Sequence, residues 1–159
     1  MAVTLQIIGH KKSGKTLITT KLISGLSTQG FRVAAIKHDA HHASMDVAGT
    51  DSYRFTQAGA HQVLLDSDRD LFYHQTGQAV NVSQLVHRLE KQNDFILIEG
   101  HKGLNYPKLV LLKGNESVVD VATNNIANTA SLGDNEQAQL IGINQIIKWC
   151  LAYLKSRKG

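Results

Sequence analysis

Gly9-His10-Lys11-Lys12-Ser13-Gly14-Lys15-Thr16 reads G-x-x-x-x-G-K-T and follows directly on the apolar run Val3-Thr4-Leu5-Gln6-Ile7-Ile8. The pattern Leu17, Leu22, Ile23, Leu26 continues it with helical spacing. Strand, glycine-bearing loop and helix in that order are the context a phosphate-binding loop requires. Gly9 and Gly14 permit backbone conformations that a Cβ would penalise, so successive N–H groups can turn inward around an anion. The helix then begins at the phosphate, with its unpaired amides and positive dipole end aimed there. Lys15 is placed to reach the β- and γ-phosphate oxygens, and the Thr16 hydroxyl to ligate Mg²⁺. These residues imply nucleotide binding.

Composition sets the frame. A chain of 159 residues suits one domain, 1–159, and 42% apolar content fits a globular protein. No apolar run approaches the roughly 20 residues of a membrane span, and the start of the chain does not read as a signal peptide. The lone Cys150 excludes an internal disulfide, fits a reducing cytoplasm, and sits in an apolar segment where a thiol packs as a small hydrophobe. The formal charge of +4 invites a nucleic-acid reading. The basic residues, however, are scattered apart from Lys155-Ser156-Arg157-Lys158, so a solvated surface that suits polyphosphate ligands is expected instead. No repeat or linker breaks the chain.

Past the helix over 15–28, Gly30 is a stop signal, and Phe31–Lys37 reads as a second buried strand. This short alternation of strand and helix predicts a mostly parallel sheet flanked by helices. A polar loop over 38–50 follows, long enough to expect a functional role. Asp51-Ser52 caps a short helix closed by Gly59. Strands are expected at 61–66 and 69–74, the second as an added β-hairpin, and an amphipathic helix at 84–92. Phe95-Ile96-Leu97-Ile98, ending in Glu99-Gly100, reads as a central strand buried on both faces. Two more strands are expected at 108–112 and 117–122. Residues 124–138 are polar and carry no clear period, and an amphipathic helix over 141–154 closes the chain.

A phosphate loop needs a carboxylate on a neighbouring strand to hold the Mg²⁺ shell. Glu99 and Asp39 both fall at carboxyl ends of expected strands, where open α/β sheets place ligands. His38, His41 and His42 cluster in the polar loop, with His10 and His101 elsewhere at the same edge. Three uses stay open for them: contact with phosphate or another ligand at the rim, a plain polar loop, or a transition-metal site. No water-orienting Gln or arginine finger can be named, so any hydrolysis should be slow without a partner. No Asn-Lys-x-Asp box for guanine is present; Asn124-Asn125, after the expected strand 117–122, is the substitute offered by position.

Together, GHKKSGKT, IKHDAHH, GTDSYRFTQAGA and FILIEGHK resemble the GTP-binding adaptor family of molybdopterin-guanine dinucleotide biosynthesis, MobB, over roughly residues 3 to 113. The resemblance implies a P-loop NTPase fold of the SIMIBI type and a homodimer. It also implies weak GTP hydrolysis with GTP and Mg²⁺ as cofactors. The expected partners are the molybdenum cofactor guanylyltransferase and molybdopterin or its guanine dinucleotide. Carried onto this chain, Gly9, Lys11, Lys12, Ser13, Gly14, Lys15, Thr16 and Leu17 form the nucleotide cradle. His38, His41 and His42 match the family's basic loop and Lys102 its strand end, as expected rim contacts; Lys15 and Glu99 are expected to carry catalysis, and Thr16, Glu99 and, from its strand-end position alone, Asp39 to serve the metal. Leu17, Thr50 and His101 depart from the family's usual Thr, Lys and Phe. Two other classes compete: a metallochaperone GTPase, favoured by the histidines, and a small-molecule kinase, disfavoured because residues 115–139 hold no Arg or Lys.

Overall fold

The structure is a computed structural model that describes residues 1–39, 44–77 and 80–159. His41 and His42 therefore lie outside the described residues. The chain divides into two compact units, Met1–His38 with Ser83–Gly159, and Asp39–Val82. The expectation of one domain over 1–159 spans both.

In the first unit, β1 (Val3–Gly9), α1 (Lys15–Ser27) and β2 (Val33–Lys37) open the chain. The second unit holds α2 (Asp51–Gln57), β3 (Gln62–Asp66) and β4 (Leu71–Gln75). The first resumes through α3 (Val82–Leu89), β5 (Phe95–Glu99) and β6 (Lys108–Leu111). It ends with β7 (Ile126–Ser131), β8 (Leu140–Ile141) and α4 (Ile143–Lys158). Six strands form one sheet in the order β2-β5-β1-β6-β7-β8, and every neighbouring pair is parallel. The P-loop fold class read from the sequence is therefore the one observed.

Side chains alternate across the pleat, so the runs in β1, β5 and β6 supply two cores. Leu5, Ile7, Phe95, Leu97, Leu109 and Leu111 meet Ile18, Leu22 and Leu26 of α1 and Ile146, Cys150 and Leu154 of α4. Ile8, Val110 and Leu112 leave the other face and meet Val121 and Ala122. Burial pushes the Cys150 thiol up to about 12, so it packs as a neutral hydrophobe. The basic tail is spent on internal contacts. Lys155 bonds Gln29, Arg157 lies 4.6 Å from the Tyr153 ring centroid, and Lys158 pairs with Asp94 at 3.0 Å. These cations also suit the negative end of the α4 dipole. Among the described residues no helix is long and apolar enough to cross a membrane.

Three expectations are corrected. Residues 117–122 form no strand: Val118–Asp120 is a 3₁₀ turn, closed by the Ser117 N–H donating to Asp120 Oδ2 at 3.0 Å. Its pattern is helical, with Val118, Val121 and Ala122 inward and Val119 73% exposed. The strand lies instead in the polar segment, as β7. Its small and hydroxyl residues pass for loop, yet Thr129 Oγ1 is buried, donating to Gln137 O at 3.0 Å and accepting from Gln139 N at 3.0 Å. Finally, α4 starts at Ile143 because Leu140-Ile141 pairs with β7 and Gly142, at φ 83°, turns the chain into the helix. The β3–β4 pair is antiparallel, which is the added hairpin expected.

Asp94 ties the start of β2 to the end of α4. It accepts from the Arg32 N–H at 2.8 Å and from Lys158, and these bonds hold its carboxyl below the ordinary 3.8. A carboxyl depressed in the fold adds stability above its unfolded value and loses it as pH falls through the folded one. Asp94→Asn should therefore melt at a lower temperature than wild type at pH 7, and the gap should narrow below pH 3.8. A gap that persists in acid would assign the effect to packing instead.

Candidate functional site

The G-x-x-x-x-G-K-T segment closes around a point at the carboxyl end of β1, on the first turn of α1. Gly9 has no room for a side chain: a Cβ would lie 2.3 Å from Ser13 Oγ and 3.0 Å from the Leu111 carbonyl. Gly14 needs φ 100° and would set a Cβ 2.3 Å from Leu132 Cδ1. Lys12 is also left-handed, at φ 64°, a strain that clusters at ligand sites. Within this crown Ser13 Oγ is the one buried side-chain polar atom without a partner among the described residues. An orphaned buried hydroxyl marks a missing acceptor, and phosphate oxygen is an acceptor of the right chemistry.

Lys15 Nζ donates to the Gly9 carbonyl at 2.9 Å and the His10 carbonyl at 3.1 Å, which folds the ammonium back over the loop. Burial holds its pKa below the ordinary value against the attraction of Glu99, and Lys37, Lys102 and Lys113 add to the lowering. Four ammonium groups thus crowd one edge, a potential that attracts a polyphosphate.

Glu99, 8% exposed, completes the site from the end of β5. Its Oε1 accepts from Thr16 Oγ1 at 3.1 Å and from Lys37 Nζ at 3.1 Å. A hydroxyl and a carboxylate facing one another at a helix N-terminus are oxygen ligands of the kind Mg²⁺ takes. Asp39, the other carboxylate expected at the metal, begins the second unit. His38 donates its N–H to the Glu99 carbonyl at 3.1 Å, and its ring lies 4.3 Å from that of His101. Burial first, and then His38, lowers the His101 pKa, which favours its neutral imidazole. Lys11, Lys12 and Leu17 are exposed on the cradle's rim, and Lys102 follows His101. Among the described residues no three His, Cys, Asp or Glu side chains are grouped to hold a metal ion.

Two features went unread in the sequence. Lys37 is legible in the sequence as the end of a strand and as part of IKHDAHH but carries no site role there, although a lysine closing a strand beside the Glu99 strand places a charge at the same edge. The cradle is also braced from outside: Glu116 Oε1 meets His10 Nδ1 at 3.0 Å, and Lys113 Nζ donates to the Lys11 carbonyl at 2.6 Å. No periodicity announces such a loop brace. The guanine substitute, by contrast, is corrected. Asn124-Asn125 precede β7, and the Asn125 carbonyl accepts from the Lys108 N–H at 2.8 Å, at the start of β6. That is the amino edge of the sheet, opposite the cradle.

A parallel six-stranded sheet with this loop at its carboxyl edge defines the class of P-loop nucleotide-binding proteins. Residues 4–131 match the family described as Molybdopterin guanine dinucleotide synthesis protein B, and the chain belongs to that family. It is similar to the molybdopterin-guanine dinucleotide biosynthesis adapter protein of Haemophilus influenzae, with 35% identity over 76% of this chain and 74% of that one. The Escherichia coli adapter protein shares 31% identity over 84% of this chain and 81% of its own. The fold is like that of the MobB homologue from Bacillus stearothermophilus, with a TM-score of 0.75 at 21% identity over 97% of this chain and 99% of that one.

Gly14→Ala tests the cradle. The left-handed conformation should cost about 1–2 kcal/mol of stability, read by chemical denaturation. Adding Leu132→Ala should relieve the clash but leave that loss; full recovery would mean that crowding by Leu132 alone matters.

Proposed function

We propose that this chain is a GTP-binding adaptor in molybdopterin guanine dinucleotide synthesis, acting as one nucleotide-dependent protein over its whole length. The observation that carries the nucleotide reading is the orphaned Ser13 hydroxyl inside a crown of left-handed and glycine backbone. Gly9, Lys11, Lys12, Ser13 and Gly14 line the crown. Lys15 exchanges its two carbonyl partners for phosphate oxygens. Thr16 and Glu99 hold Mg²⁺, which when bound neutralises charge between the phosphates. His38 and Lys102 serve the rim and Leu17 flanks it, while the family resemblance extends the rim to His41 and His42 and strand-end position alone offers Asp39 as the alternative metal carboxylate.

Hydrolysis is slow in this reading. Glu99 Oε1 already accepts two donors, which suits a ligand-holding carboxylate better than a base drawing a proton from water. The adaptor then acts beside the guanylyltransferase that joins GMP from GTP to molybdopterin, in the cytoplasm. GTP is chosen over ATP on the strength of the family, whose reaction consumes GTP.

The chain is proposed to work as a homodimer through its second unit. In the hairpin Leu64, Leu71 and Phe72 are 57%, 64% and 51% exposed, with Leu65 and Tyr73 similarly bare. Apolar exposure on successive residues of one hairpin favours a second copy as its cover. Phe72→Asp should sediment as a monomer at concentrations where wild type sediments as a dimer. A monomeric wild type, or a variant that still pairs, would overturn the homodimer.

Titration with non-hydrolysable GTP and ATP analogues, with and without Mg²⁺, tests the main reading. Wild type should prefer the guanine analogue. Lys15→Ala should weaken binding by about 1.5–3 kcal/mol, the worth of a charged hydrogen bond, with the melting temperature of the ligand-free protein retained. Glu99→Gln should bind nucleotide but lose Mg²⁺ dependence. Equal binding of the two bases would remove the GTP assignment, and an unaltered Mg²⁺ response would move the metal role to Asp39.

A further inference from the structure

Gln6 of β1 and Lys108 of β6 are register partners in adjacent parallel strands. Both side chains therefore leave the sheet on the face shared by Ile8 and Val110. Both residues are completely buried, and among the described residues no carboxylate pairs with the Lys108 ammonium. An apolar pair would cover this face without the desolvation cost of an internal lysine. The position calls for donors instead. Lys108 Nζ donates to the Leu104 carbonyl at 2.6 Å and the Tyr106 carbonyl at 3.1 Å. Gln6 Nε2 donates to the Gly100 carbonyl at 3.0 Å and the His101 carbonyl at 2.7 Å, while its Oε1 accepts from the Tyr106 N–H at 3.4 Å.

These bonds all fall on the loop from Gly100 to Pro107 that joins β5 to β6. Its other accounted carbonyls follow suit: Pro107 accepts from the Gln6 N–H at 2.8 Å and Asn105 from Asn125 Nδ2 at 3.2 Å. The loop thus turns its carbonyls toward the protein and relies on internal donors to satisfy them. It starts immediately after Glu99 with two left-handed residues, Gly100 at φ 83° and His101 at φ 64°. For a histidine that conformation persists only when its surroundings enforce it. The carbonyls of these same two residues are the ones that Gln6 holds.

We propose that Gln6 and Lys108 are positioning residues of the nucleotide site: two buried donors that template the 100–107 loop and thereby set the Glu99 carboxylate and the Lys102 ammonium at the cradle. The proposal rests on the reading of the cradle as a nucleotide site. Gln6 acts at the left-handed start of the loop, Lys108 at its end, and neither touches the ligand.

The test uses the full chain with Lys108→Met and Gln6→Leu, close in size but without donors. Amide hydrogen exchange reads the loop, and binding of a fluorescent GTP analogue is measured in Mg²⁺ and in EDTA. Expected for each variant is faster exchange across 101–106 with α1 still protected. Affinity in Mg²⁺ should fall roughly tenfold, as for other residues that orient metal ligands, while affinity in EDTA changes little. Equal losses in both buffers, or unaltered exchange in the loop, would make the pair a merely structural feature. If Lys108→Met does not fold, Gln6→Leu carries the same comparison, and failure of both to fold overturns the proposal. Wild type that binds nucleotide in neither buffer would remove the nucleotide reading itself, whereas wild-type binding matched by both variants removes only the tether.

Discussion

One carboxylate oxygen, Glu99 Oε1, receives a hydroxyl from Thr16 and an ammonium from Lys37. The three groups stand at the carboxyl ends of β5, β1–α1 and β2, so the contact exists only if these strands are parallel and in their observed register. A slip of one residue would turn Glu99 to the opposite face of the sheet. The buried runs of β1 and β5 hold these strands at the centre of the sheet, and the buried polar pair Gln6 and Lys108, which must stay on one face, opposes the slip. Packing far from the ligand edge therefore sets the chemistry at that edge.

The site combines excess positive charge with unused hydrogen-bonding capacity. Lys37, Lys102 and Lys113 repel the Lys15 ammonium, while Glu99 attracts it. Such an arrangement favours a compact, multiply charged anion. The Ser13 hydroxyl adds direction to the attraction. Glu116 and Lys113 brace the loop from outside, beside the bonds that Lys15 makes within it.

Much of this was legible from residue order, since the phosphate loop and the central strand are set by local rules. Glycine spacing, an apolar run and a helix start each have one physical meaning, and Gly9 to Thr16 carries all three. What escaped depended on partners distant in the chain. The β7 strand is built of Asn, Thr, Ala and Ser, whose burial is decided by bonds from Gln137 and Gln139 rather than by hydrophobicity. The turn at Val118 reads as a strand in the sequence because four apolar residues within five positions fit either period. Lys37 and the Glu116 brace become meaningful only once the sheet order is known.

The sheet's connectivity also has a temporal side. β1 takes its place between β5 and β6, and its pairing with β5 joins Val3 to Phe95. During synthesis at about 5–20 residues per second, Leu5, Ile7 and Ile8 leave the ribosome several seconds before any strand exists to cover them. The β3–β4 hairpin, whose partners are close in sequence, can close in microseconds once made. The strand that leads into the phosphate cradle is thus made well before its neighbours, and the nascent chain must keep Leu5, Ile7 and Ile8 from other partners in the interval.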